Sequence, residues 1–439
     1  MRGDPRDRER SSLSIPRMET PAPQTTFSET SSRSGSTLLN LYHLIGLLVA
    51  LFVLTGRWSP ARLMTGADRA LYLEVRFWLL LLFVIVIALP AINRRRPLLF
   101  SPSTYGLLVL LLLAFLGYMM MTSSWAIDNN LALVKVYELA ITAVAIIAVS
   151  RSAFLVSSAG MRDAVWRSMV GVTALLAGLG LLSALSDTGR FRLSVLAGGP
   201  NTFGRMMGLL FLGCLFFWRE HRSRWYWISG AMIAAFLVIL SGSRGALIAM
   251  AASLVTFLLV ERVKWTRLAA LAIVSTAVAV VLLWYTPLGR IVAASFQHRV
   301  IDLSIEQRYL SGRGDRFLDA IELGSQNWIT GSGLSSFPAS GLGPYPHNIF
   351  LEALTDGGLI GVALLVAALT LGFTVLWRNR RQLDSISVAA LVLALVFSQI
   401  SGDFYDNRVV FIFLLLALIP RTHRTATAQD TAAPSPAAL

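Results

Sequence analysis

Charged residues are scarce in this chain. Asp, Glu, Lys and Arg make up 14% of its 439 residues, whereas soluble domains contain about 25%. Hydrophobic residues make up 55%, and many of them fall in apolar runs of about 15 to 20 residues. The composition therefore predicts an all-α fold, a polytopic bundle of transmembrane helices.

Residues and motifs used in several kinds of active site are also missing. Cys214 is the only cysteine, which excludes a disulfide within one chain and a cysteine-based metal site. The sequence has no Walker A loop, no Asp-x-Asp near an external loop, no HExxH and no Gly-x-Ser-x-Gly. These absences argue against energy coupling by this chain and against a conventional metal-dependent transferase site. We expect no metal and no cofactor.

The basic residues are almost all arginine, since only two of the 38 are lysine. Arginine binds phosphate with two parallel hydrogen bonds, although GC-rich coding would give the same bias. The net charge of +14 does not indicate nucleic acid, because most of it falls in short loops between hydrophobic segments.

Twelve hydrophobic segments predict about twelve transmembrane helices. They are 37–54, 75–92, 105–121, 131–149, 168–186, 203–218, 226–241, 244–261, 267–285, 347–376, 386–400 and 407–420. The segment 347–376 is long and interrupted by glycine, so we expect an interfacial or broken start. The segment 407–420 is marginal for a full span.

The remaining residues form two tails and one large loop. Residues 1–36 and 421–439 lack apolar periodicity and are predicted to be disordered. Helices 1–9 then occupy 37–285, the loop with short helices 286–346, and helices 10–12 occupy 347–420. Basic triplets in alternate loops place both termini in the cytoplasm by the positive-inside rule. The loop and the active site are therefore expected in the periplasm of a bacterial inner membrane.

Two arginines in glycine-rich turns are the first candidates for chemistry. Arg244 lies in Ser241–Ala246, between two hydrophobic segments. It either snorkels to headgroups from a tight turn or reaches a lipid-linked phosphate. Arg313 begins a predicted amphipathic helix, 313–326, whose free N–H groups suit an anion. The alternative for Arg313 is an ion pair with Asp315 or Asp319.

Further candidates lie at segment boundaries. His347 stands where the large loop meets a membrane segment, and neutral histidine can take a proton from a hydroxyl group. The alternative is a histidine bonded to backbone at a helix start. Asn201 and Arg205 mark either a simple helix start or part of the same anionic site. Lys135 is expected to pair with Glu138 in its own segment.

Together these residues resemble the O-antigen ligase family, which includes lipid-linked glycan polymerases. The resemblance rests on Ser243-Arg244-Gly245, on Ser311-Gly312-Arg313 with Gly331-Ser332-Gly333-Leu334, and on His347-Asn348-x-Phe350-Leu351 with the glycines at 357–361. It implies a GT-C-like membrane glycosyltransferase that needs no metal. It also implies that Arg244 and Arg313 hold a diphosphate and that His347 acts near an acceptor hydroxyl. The other expected substrate contacts are Asn201, Arg205, Arg308, Arg316 and Asn348.

The resemblance further implies a reaction. Proteins of this family move a glycan from undecaprenyl diphosphate to an acceptor hydroxyl on the periplasmic face. The acceptor is lipid A-core in a ligase and a growing glycan in a polymerase of O-antigen or exopolysaccharide. A flippase or transporter without chemistry and a protein-glycosylating relative are weaker candidates. The sequence does not separate ligase from polymerase, because the two share the donor.

Overall fold

Helices make up almost all of the described structure. The computed structural model describes residues 31–55, 75–88, 102–155, 158–186, 193–195, 199–220, 224–262 and 313–419. The helices are α1 (Ser31–Leu54), α2 (Val75–Ala88), α3 (Pro102–Met121), α4 (Asn129–Leu155), α5 (Ser158–Ser186), α6 (Pro200–Glu220), α7 (Tyr226–Leu240), α8 (Arg244–Glu261), α9 (Arg313–Gln326), α10 (Ser336–Ala339), α11 (Ile349–Arg378), α12 (Ser385–Ser398) and α13 (Phe404–Ala417). No strand occurs in these ranges, so the all-α prediction is confirmed.

The chain divides into two units, residues 1–40 and 41–439. Of the first unit, the structure describes only the opening residues of α1, which begins inside the predicted tail. The remainder of α1 and all later helices belong to the second unit. The predicted segment 267–285, residues 286–312 of the large loop and the predicted tail 421–439 lie outside the described residues.

Several helices have the length and composition of membrane spans. Six qualify among the described residues: Thr104–Trp125, Asn129–Ser152, Gly160–Leu182, Pro200–Glu220, Arg244–Glu261 and Ile349–Arg378. Three shorter apolar helices accompany them, at His43–Leu54, Tyr226–Leu240 and Ser385–Ser398. The membrane class is thus supported. The count of about twelve spans and the periplasmic side of the large loop stay predictions.

Helix α13 lies at the centre of the bundle. All of its residues are buried, and it packs against α4, α11 and α12. Its fully buried Arg408 donates hydrogen bonds to the carbonyls of Phe52, Thr55 and Tyr405. The carbonyls at the end of a helix lack partners within that helix, so Arg408 caps the end of α1. Most of the predicted segment 407–420 is thus buried inside the protein.

A buried ion-pair group joins α4, α11 and α13. Lys135 Nζ lies 2.6 Å from Asp403 Oδ2 and 3.1 Å from Glu352 Oε1. Asp403 also caps α13 by accepting a hydrogen bond from the Asp406 amide at 3.0 Å. Lys135 was expected to pair with Glu138, but its ion-pair partners are Asp403 and Glu352. A buried ammonium requires close opposite charge, and the neighbouring helices supply it.

Helix α11 is broken at Gly358, where φ is 61° and ψ is −159°. The predicted interruption of this segment is confirmed. The α9–α10 loop, residues 327–335, packs into the break. Leu359 N donates to Trp328 O at 2.8 Å, and Ser332 N donates to Thr355 O at 2.8 Å. The loop thus supplies backbone partners that the interrupted helix lacks.

Two glycines permit this contact between backbones. A Cβ atom on Gly331 would lie 2.5 Å from the Asp356 carbonyl carbon, and one on Gly358 would lie 2.4 Å from the Ile329 carbonyl carbon. Both residues have positive φ, which glycine adopts without steric cost. The Asp356 carboxylate completes the junction by accepting hydrogen bonds from the Ser335 and Ser336 amides.

Helices α6, α8 and α12 form a frame that is joined by side chains at both ends. At one end, Arg219 of α6 donates to Asp384 at 2.7 Å and to Ser385 at 2.8 Å, where α12 begins. Ser385 donates in turn to Glu261, the last residue of α8, at 2.7 Å. The three-helix frame is therefore fixed at this end by buried polar contacts.

Asn201 joins the same three helices at the opposite end. It accepts a hydrogen bond from Ser243 at 2.8 Å and donates one to Ser401 at 3.3 Å. Helix α6 has 21 residues, which corresponds to about 30 Å at about 1.5 Å per residue. The two ends of the three-helix frame are thus about one bilayer apart.

Candidate functional site

Arg244 stands at the Asn201 end of the three-helix frame, as the first residue of α8. The preceding Ser243 caps the helix by accepting a hydrogen bond from Ala246 N at 3.2 Å. The same hydroxyl donates to Asn201. The glycine-rich turn at 241–246 is therefore an anchored helix start, which fixes the backbone of Arg244.

Helix α9 brings two more arginines to this place. Arg313 is its first residue, and Arg316 follows one turn later. Partial burial lowers the pKa of the Arg313 guanidinium, and the positive charges of Arg244 and Arg316 lower it further, while Tyr345 acts in the opposite direction. Arg244, Arg313 and Arg316 are therefore neighbours, and we call them the arginine cluster.

Neither arginine of α9 is neutralised by a carboxylate within the part of the chain that the structure describes. The sequence also allowed a pair of Arg313 with Asp315 or Asp319, and neither pair forms there. The N-termini of α8 and α9 add partial positive charge where their first residues meet. The cluster has the electrostatic character of an anion site.

His347 lies beside the arginine cluster. Its Nε2 is 2.5 Å from Arg316 Nη1, and its ring centroid is 4.5 Å from that of Tyr345, with the two planes at 69°. His347 is buried and has a left-handed φ of 65°, a conformation that is uncommon outside glycine. The chain turns here because Asn348 immediately caps α11, accepting hydrogen bonds from the Phe350 and Leu351 amides.

The contact with Arg316 determines the form of the imidazole ring. A guanidinium group can only donate, so Nε2 must accept the hydrogen bond. His347 is therefore neutral in this arrangement and carries its proton on Nδ1. A second proton, on Nε2, would break the contact and bring two cations together.

The structure divides the other predicted substrate contacts. Arg316 belongs to the arginine cluster. Asn201 and Asn348 hold helix starts close to the cluster, and Asn348 also donates to Gln399 at 3.1 Å. Arg308 lies outside the described residues. The roles of these residues toward a substrate stay predictions.

Arg205 is held by the protein itself. Its guanidinium donates to the Asp406 carbonyl at 2.8 Å, lies 3.8 Å from the Asp406 carboxylate, and stacks 5.3 Å from the Phe397 ring centroid. These contacts attach α6 to α13. Direct binding of substrate by Arg205 would require it to exchange partners.

Tyr345 is the residue at this site that sequence reasoning missed. It contacts the His347 ring and interacts electrostatically with both Arg313 and Arg205. Its position two residues before His347 was the available signal. Among the residues that the structure describes, no group of three His, Cys, Asp or Glu side chains could hold a metal ion.

Comparison with known proteins shows similarity to one family. A family model described as O-antigen ligase matches residues 229–366. That interval contains the arginine cluster and His347. An O-antigen ligase of Pseudomonas aeruginosa is 28% identical to this chain over 317 residues, covering 68% of this chain and 73% of that protein. Over this interval the chain is similar to the O-antigen ligase family.

These two matches confirm the resemblance drawn from the sequence. The matched interval runs from α7 through the break in α11, so it includes the arginine cluster together with the α9–α10 loop. Similarity to the O-antigen ligase family and the apolar helices support a membrane protein that handles glycans and a glycosyl-transferring activity.

Proposed function

We propose that this protein transfers a glycan from undecaprenyl diphosphate to a hydroxyl of lipid A-core, the reaction of an O-antigen ligase. The observation that carries the proposal is the arginine cluster beside His347. It combines an anion site with a neutral imidazole at the end of helices long enough to cross a membrane. A diphosphate donor held in lipid and an acceptor hydroxyl are the substrates that such a site would serve.

The arginine cluster would bind and stabilise the leaving group. When the bond between the anomeric carbon and the bridging oxygen breaks, negative charge grows on the departing undecaprenyl diphosphate. Guanidinium groups donate paired hydrogen bonds to phosphate oxygens, and these bonds strengthen as charge accumulates where water is scarce. The starts of α8 and α9 contribute in the same direction.

His347 would accept the proton of the acceptor hydroxyl. The hydroxyl oxygen forms the new bond to the anomeric carbon, its proton passes to Nε2, and the electron pair of the broken bond leaves with the diphosphate. Nε2 is held by Arg316 in this structure. We therefore include an exchange of partners, in which Arg316 turns to the phosphate of the arriving donor and releases Nε2.

The test is deletion of the gene followed by complementation and analysis of surface glycan. The ligase proposal expects long glycan to be lost from lipid A-core while lipid-linked polymer accumulates. Single repeat units on the core would instead identify a polymerase of the same family. Unchanged lipopolysaccharide with loss of secreted polymer would identify an exopolysaccharide function. Either of the last two results overturns the ligase assignment.

Complementation with point variants distinguishes loss of the active site from loss of the folded protein. Arg313→Ala should fail to restore the glycan, although the protein reaches the membrane in normal amount. Arg378→Ala is the matched control, because Arg378 is exposed at the far end of α11 from His347. It should restore wild-type glycan.

A further inference from the structure

Several backbone polar groups of the α9–α10 loop have hydrogen-bond partners in the protein. Its amides at 331, 332 and 334 donate to the carbonyls of Asn327, Thr355 and Thr122. Its carbonyls at 328 and 329 accept from Leu359 and Ile360, and the carbonyl at 330 accepts from the Tyr118 hydroxyl. Irregular backbone is tolerated at membrane depth only where partners of this kind replace water.

Two large apolar side chains project outward from this loop. Trp328 is 58% exposed and Ile329 is 51% exposed. Their backbone carbonyls accept hydrogen bonds from the amides of Leu359 and Ile360. The side chains of Leu359 and Ile360 are 45% and 39% exposed. They belong to α11, a candidate membrane span. The four side chains therefore continue an apolar surface of α11 onto the loop.

We infer that the α9–α10 loop is embedded in the edge of the bilayer, with Trp328 and Ile329 in contact with lipid hydrocarbon. The occupant of this surface is membrane lipid, because the surface is continuous with that of a helix long enough to cross the membrane. Tryptophan is enriched at this boundary, where its ring meets hydrocarbon and its N–H meets headgroups. The loop 286–346, which is predicted to lie on the periplasmic side, would then touch the membrane at this point.

The embedded loop has a role that does not depend on the chemistry of the site. Helix α9 packs on α11, where a Cβ atom on Gly324 would lie 2.8 Å from Leu354 Cγ. The loop directly follows α9. Its attachment to lipid would therefore hold α9, and the two arginines at its start, at a fixed level relative to the membrane.

The experiment measures lipid contact directly. Single cysteines are placed at Trp328 and Ile329 in a Cys214→Ala background, spin-labelled and examined in lipid nanodiscs. We expect molecular oxygen to relax these labels more strongly than a water-soluble nickel chelate does. Leu359→Cys provides the positive control on α11, and Ser325→Cys, an exposed polar position on α9, should show the opposite preference.

Two results would overturn the inference. If the labels at 328 and 329 were relaxed more strongly by the nickel chelate than by oxygen, as is expected for the label at 325, the loop would lie in water. Labels shielded from both reagents would mean that protein covers the surface, as in contact with a second copy. Thermal unfolding of each unlabelled variant checks that the fold is kept, and Ile329→Cys retains the native Trp328.

Discussion

Arg316 Nη1 lies 2.5 Å from His347 Nε2. The arginine that is proposed to bind phosphate therefore holds the nitrogen that is proposed to accept the proton. This contact connects binding to chemistry. A donor that draws Arg316 to its phosphate also uncovers the nitrogen that must receive a proton. Without donor, Nε2 stays engaged, and an acceptor hydroxyl finds no base at that position.

The first prediction concerns His347. His347→Asn should lower the rate of transfer by roughly 10²-fold or more, because an amide takes no proton at neutral pH. Asparagine is chosen because it tolerates the left-handed backbone at this position. The measurement is the turnover of purified lipid-linked glycan in nanodiscs, with the donor KM as the internal control. Full turnover by the Asn variant would remove His347 from the role of base.

The second prediction concerns the geometry of the arginine cluster. Arg244→Lys and Arg313→Lys keep the charge but lose the paired hydrogen bonds to phosphate, so each should lower transfer by about 10- to 100-fold. Transfer is measured at matched membrane abundance. Arg378→Lys, at the other end of the bundle, should leave it unchanged. Wild-type transfer by both cluster variants would leave these arginines with a role in folding or orientation alone.

The third prediction concerns Asp384 at the far end of the three-helix frame. Burial opposes its ionisation, but Arg219, Arg162 and the Ser387 hydroxyl outweigh burial and lower the pKa from 3.8 to about 2. A lowered pKa stabilises the fold at pH values above the unfolded value, and this stabilisation is lost as the pH falls through the folded value. It amounts to about 2 kcal/mol at neutral pH.

The stability difference between wild type and Asp384→Asn should therefore be full at pH 7 and shrink between about pH 4 and pH 2. Unfolding in detergent, followed by circular dichroism, measures this difference. Asp163→Asn is the control, because Asp163 forms only a solvent-accessible pair with Arg167 and should contribute less than about 1 kcal/mol. A difference that stays constant with pH would contradict the assignment.

The fourth prediction concerns the junction between the α9–α10 loop and α11. Gly331 and Gly341 both have a φ of 74°, so alanine at either position carries the same backbone cost of about 1–2 kcal/mol. Only at Gly331 would the added Cβ also meet backbone, while Gly341 faces open space. Gly331→Ala should therefore lower the apparent Tm by several degrees more than Gly341→Ala. Equal shifts would show that the loop can move away from α11.

The sequence was informative where the signal was local. Apolar runs of membrane length predicted the helices, since a span must be apolar along its whole length. The glycines at 357 and 358 predicted the break in α11. Arg244 stood out because it joins two apolar segments with almost no linker, and His347 because it stands where the large loop meets a membrane segment.

Partners that are distant in the sequence could not be predicted. Lys135 binds Glu352 and Asp403, which lie on other helices, and no pattern in the sequence announces that contact. Arg205 reaches Asp406 in the same way. The proximity of Arg244 to Arg313 could be expected only through the family resemblance, because chain topology rather than spacing creates it.

The three-helix frame also makes the site dependent on helix length. Both ends of α6 are hydrogen-bonded to neighbouring helices, through Asn201 at one end and Arg219 at the other. One residue added within α6 would turn its two ends relative to each other by about 100° and separate them by about 1.5 Å. The hydrogen bonds at one end could then form only if those at the other end were broken. The number of residues in this apolar helix therefore determines whether the polar contacts at its two ends can form together.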